Sequence, residues 1–124
     1  LRIELIKEHI TTIEKAMNNI NELDFSSPAG ANQVVRWINT KEMHANEIQE
    51  IASQYFMAQR IKLVDPSDEE KHAKYITQLT LMHEIIIYAM KTKQGTDLSN
   101  IEKLKELVAK FEQAYFVDGH GHKH

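Results

Sequence analysis

The sequence predicts an all-α protein, an antiparallel up-down-up-down four-helix bundle filling residues 1–118. Three observations predict it. Apolar residues recur at steps of three and four along four separate stretches, the spacing that lines one face of a helix. Proline, glycine, aspartate and serine gather between those stretches, around Asp24–Pro28, Asp65–Ser67 and Gly95–Ser99. No stretch alternates apolar and polar residues as a half-buried strand would.

The first helix is expected over residues 2–23, with Ile3, Ile6, Ile10, Ile13, Met17 and Ile20 on its inner face. Asn18, Asn19 and Asn21 weaken its last turns, because asparagine is a poor helix former. The second helix opens near Ser27, with Pro28 at the first helical position, where a missing N–H costs nothing. Gly30 weakens that turn, and the regular part is expected over residues 32–64. Its inward stripe reads Val34, Ile38, Ala45, Ile48, Ala52, Tyr55 or Phe56, and Leu63, with His44 on the same side.

A tight turn at Val64-Asp65-Pro66-Ser67 should fold the third helix back on the second. Ser67 and Glu70 have the spacing of a capping box. The third helix should run to about residue 93, with His72, Ile76, Leu79, His83, Ile86 and Met90 inward. A second stripe, Leu81, Met82, Ile85, Tyr88 and Ala89, makes it apolar nearly all round. A helix of that kind wants cover on more than one side, which points to a second copy or a partner. Gly95 marks the stop, and Ser99 with Glu102 forms a second capping box. Ile101, Leu104, Leu107, Val108, Phe111 and Tyr115 give the fourth helix its buried face. Residues 119–124, Gly-His-Gly-His-Lys-His, carry no apolar side chain and read as a disordered tail.

Composition narrows the function. The 124 residues suffice for one core. There is no cysteine, which excludes disulfides, thiolate ligands and cysteine nucleophiles. That fits a cytosolic or an exported chain equally. A start at Leu1 fits either an upstream segment or a removed leader. The net charge is −3 without a basic stripe, which argues against nucleic acid. No apolar run is long enough to span a membrane. No serine elbow or phosphate loop is present, so enzyme chemistry has little support.

The one chemical lead is histidine. A tight reversal at Asp65-Pro66 puts Glu47 level with Glu84, and Ile48 level with His83. A reversal near Ser27 puts His9 level with Asn46. His9, His44, Glu47, His83 and Glu84 would then share one layer, with His44 and His83 meeting inside the bundle. Imidazole and carboxylate on facing helices are what a zinc, iron or manganese site needs. Against that, the Glu-x-x-His motif that di-iron bundles place on two helices occurs once, at Glu69–His72. The ordinary alternative is a half-buried histidine bonded to a neighbouring carboxylate or carbonyl, or a His/Glu cluster that titrates near neutrality. The sequence therefore leads with a non-enzymatic interaction module, docking a second copy or a protein partner through the second and third helices. The alternative is a metal-binding bundle with a His/Glu site between helices 1, 2 and 3.

Overall fold

A computed structural model describes residues 1–117. The chain forms α1 (Arg2–Glu22), α2 (Pro28–Glu50), a π-helical segment (Ile51–Arg60) that continues α2, α3 (Glu69–Gln94) and α4 (Ser99–Val117). Sequential helices pack on one another and α4 closes against α1, which makes the antiparallel four-helix bundle. Two ion pairs fix the closing register. Lys7 meets Glu112 at 2.7 Å and Lys105 meets Glu14 at 3.0 Å. The tail, 119–124, lies outside the described residues.

The core follows the expected stripes on α1 and α4. Ile3, Ile6, Ile10, Ile13, Met17 and Ile20 are all buried, as are Ile101, Leu104, Leu107, Val108, Phe111 and Tyr115. From α2 come Ala45 and Ile48, and from the π-helical segment Ile51 and Ala52. Phe56 stands edge-on to Phe111 and Tyr115, with centroids 5.0 and 5.4 Å away. Such edge-to-face contacts add to the area they bury. Leu63, expected inside, is 91% exposed in the loop that follows the π segment.

α3 is turned from the expected orientation. Its buried residues are Gln78, Met82, Ile85, Ala89 and Thr92. His83 is exposed, as are Ile76 and Met90. Polar residues on the inner stripe explain the difference. Gln78 and Thr92 continue the three-and-four spacing of Met82, Ile85 and Ala89, and each is satisfied locally. Thr92 Oγ1 donates to the Ala89 carbonyl at 2.6 Å, and Gln78 Nε2 reaches the Ala114 carbonyl at 3.5 Å. Lys41 does the same on α2, buried between Ile38 and Ala45. Its ammonium donates to the carbonyls of Lys93 (3.3 Å) and Gly95 (2.8 Å). Burial pushes the Lys41 amine below its usual value, while Glu42 pulls the other way. A cation at a helix C-terminus is favourable to the dipole and supplies donors for the last carbonyls. Gly95 itself is extended, at φ −172°.

The connections share one device. Asp24, Asp65 and Asp97 each accept the backbone N–H of the serine two residues on, at 2.9 Å in every case. This side-chain turn replaces the expected Ser67 capping box. Asp68, not Ser67, caps α3, accepting from Lys71 N at 3.2 Å. The α2–α3 connection is also longer than a tight turn, and it slips the register by about one turn. Gln49 Nε2 reaches the Ile86 carbonyl, and Lys93 Nζ reaches Asn46 and Gln49.

Gly30 is needed for space. A Cβ there would lie 1.8 Å from the Asp24 carbonyl oxygen. Gly30→Ala should therefore destabilise by about 1–3 kcal/mol in urea denaturation, although alanine is the better helix former. A gain in stability would show that the Asp24 turn yields freely. Phe56→Ala should cost about 3–5 kcal/mol by the same measurement, as the fully buried hub of the aromatic cluster.

Candidate functional site

α1 and α2 bring two imidazoles together. His9 Nδ1 and His44 Nδ1 are 2.7 Å apart, with ring centroids 4.9 Å apart and planes inclined by 53°. Both rings are half-buried at the edge of the bundle. Each lies on the flank of its helix's inner stripe, next to Ile10 on α1 and Ala45 on α2. At this distance one nitrogen carries the proton and donates it to the other. Burial holds His9 below the usual histidine range, and the charge of His44 adds to it. Glu47 and Glu8 pull weakly the other way.

The rest of the expected layer does not assemble. Glu47 is exposed, and it reaches His9 through its charge. His83 points outward because α3 presents Met82 and Ile85 to the core instead. Glu84 lines a groove of about 540 Å³ between α3 and α4, beside Leu81, Lys110 and Gln113. So His44 meets His9 rather than His83. Among the described residues, no group of three or more histidine, aspartate or glutamate side chains could hold a metal ion. His120, His122 and His124 lie outside those residues.

Sequence reading missed other features. Lysine at position 41 reads as a solvent-facing residue, although the position fits the inner stripe and the side chain is buried. At the far end of the bundle, Arg2 and Arg60 both approach Tyr55, at 4.8 and 5.8 Å from its centroid. Arg60 Nε also donates to the Tyr115 hydroxyl at 3.1 Å. These contacts tie the π segment to α1 and α4. No spacing signal marks a π-helical turn, which is set by packing. Among the described residues, no helix is long and apolar enough to cross a membrane.

The His9 shift has a signed consequence. Its folded-state value lies below the unfolded value near 6.5, so the fold favours neutral His9. That stability is fully present above pH 6.5 and is lost as pH falls through the lower folded value. His9→Asn should flatten the acid side of the stability profile below about pH 6.5, measured by urea midpoints. An unchanged slope would remove His9 as its source.

A family model described as nickel-containing superoxide dismutase matches residues 2–118. No curated protein and no solved structure matches the chain. The family match overturns two expectations drawn from the sequence. A non-enzymatic interaction module gives way to a metal-dependent enzyme family, and zinc, iron or manganese give way to nickel. A resident metal needs three or more converging donors, and the described side chains bring together only the His9–His44 pair. Buried side-chain nitrogen and oxygen atoms all have partners among the described residues, so none is held open for an ion. The bundle's side chains thus do not by themselves fit the family's nickel centre. The match nonetheless runs from the first turn of α1 to the end of α4, and the chain belongs to the family of nickel-containing superoxide dismutases.

Proposed function

We propose that this chain is the helical body of a superoxide dismutase that works with nickel. The observation that carries the reading is the family match across all four helices. The net reaction takes two superoxide anions and two protons to one dioxygen and one hydrogen peroxide. One superoxide is oxidised and the other reduced, so no outside electron donor is needed. The bundle serves this chemistry as a rigid frame. Nickel, when bound, would supply the redox chemistry, and the described side chains bring together no ligand set that would hold it.

The test is made on protein purified from the cells that produce it. About one nickel per chain should survive dialysis, and the preparation should dismute superoxide. Protein holding no nickel and lacking dismutase activity would overturn the reading.

We propose further that the body self-associates through the outward stripe of α3. Ile76 and Met90 are exposed there, and Ile87 is partly exposed. Met90→Asp should shift the sedimenting species to monomer while leaving the helical spectrum unchanged. A wild-type chain that sediments as monomer at all concentrations would end that proposal.

A further inference from the structure

We propose that the pocket between residues 61–64 and the first turns of α3 binds a small phosphate monoester. The phosphate sits among Lys62, Lys71 and Lys74, and the ester group lies against Ile61, Val64 and the Tyr75 ring. The site shares no residue with the His9–His44 pair, and it does not depend on the chain being an active dismutase.

The pocket arises because the inner face of α3 outruns the core. Gln78, Met82 and Ile85 lie on that face and are buried. Toward the start of the helix, the same spacing of three and four passes through Tyr75, Lys74 and Lys71. Across from this end of the face lie the non-helical residues 61–64. Ile61 is buried there, and Leu63 turns to solvent. A cavity of about 310 Å³ remains, with the buried Gln78 in its wall. That is the small end of the range for ligand sites, roughly 300–1,000 Å³.

Charge decides the class of ligand. Every charged side chain on the lining is a lysine. Lys71 and Lys74 stand in the first turns of α3, where the helix dipole is already positive, so they add potential of the sign an anion needs. The nearby carboxylates are engaged elsewhere. Asp65 accepts the Ser67 N–H, and Asp68 accepts the Lys71 N–H as the helix cap. The Lys71–Asp68 and Lys74–Glu70 pairs are both 3.9 Å long and exposed, which makes them weak competitors for an ammonium. Among the described residues, Lys62 has no carboxylate partner. A phosphate monoester carries nearly two negative charges near neutral pH, which suits three ammonium groups better than a carboxylate does. Its ester group covers the apolar wall of Ile61, Val64 and Tyr75, which inorganic phosphate would leave wet.

The experiment is a phenyl phosphate titration of the full 124-residue chain, followed by NMR of the assigned backbone amides. The signals of Ile61, Lys62, Val64, Lys71, Tyr75 and Gln78 should move together and saturate, with a Kd of about 1 mM or below. Inorganic phosphate should bind about tenfold more weakly, because it buries no apolar area. Lys62→Gln, a change at an exposed loop position, should weaken phenyl phosphate about fivefold. No saturable movement would overturn the proposal, and so would movement spread over lysines outside the pocket, such as Lys7 and Lys105. Equal binding of inorganic phosphate would mark a counter-ion site only and would overturn it too. So would an unchanged affinity in Lys62→Gln. The titration reads binding rather than turnover, so it stands or falls apart from the dismutase reading.

Discussion

The rotation of α3 about its own axis is the constraint on which the rest of the structure depends. It decides which residues fill the core and which face solvent, and it is set by polar groups. Gln78 and Thr92 sit on the same inner stripe as Met82, Ile85 and Ala89, and each has its hydrogen bond supplied. Lys41 crosses from α2 to the carbonyls at the end of α3. The Thr92 bond lies within α3 itself, so the bonds that tie α3 to its neighbours are those of Gln78 to α4 and of Lys41 to the end of α3. The aliphatic residues of α3 allow two inward faces, because the helix is apolar nearly all round. The face in use is the one that carries Gln78, which reaches the Ala114 carbonyl of α4.

That choice explains where sequence reading succeeds and where it stops. On α1 and α4 the inner stripe is wholly apolar, and every residue expected inside is buried. On α2 and α3 the inner stripe contains lysine, glutamine and threonine. A reading that equates polarity with solvent skips Lys41 and turns α3 toward Ile76, His83 and Met90. The error passes directly into the candidate site, since His83 owed its place in the layer to that rotation. His9 and His44 came together because the α1–α2 register held to within about two residues, on a connection whose punctuation was clear. The α2–α3 register slipped because the chain after Arg60 runs through a loop before α3 begins.

The loops show a pattern that was on the page but unread. Asp-Phe-Ser, Asp-Pro-Ser and Asp-Leu-Ser occur once in each interhelical connection, and all three make the same side-chain turn. The bonds to serine hold each aspartate below its usual range, led by the Ser26 hydroxyl for Asp24 and by the backbone N–H of Ser67 and Ser99 for Asp65 and Asp97. Capping-box spacing competes for two of these serines, Ser67 and Ser99. The aspartate two residues earlier was the better signal, because a carboxylate is the stronger acceptor. Gly30 belongs to this class of turn constraint. It reads as a weak spot in a helix until the Asp24 carbonyl is seen against it.

A metal enzyme built on such a bundle faces a conflict between core and centre. Ligands placed inside would replace apolar volume with donors that need both a metal and outer partners. This bundle has taken the other course. Ile13, Met17, Ile48, Met82, Ile85 and Leu104 fill its interior with almost no exposure, and its inward polar groups are spent on backbone carbonyls and helix ends. His9 and His44 stand instead at the bundle's edge, half-buried and hydrogen-bonded to each other. A filled core and an edge-placed imidazole pair support the same reading. Among the described residues, the body is a packed frame with no cluster of donors inside it.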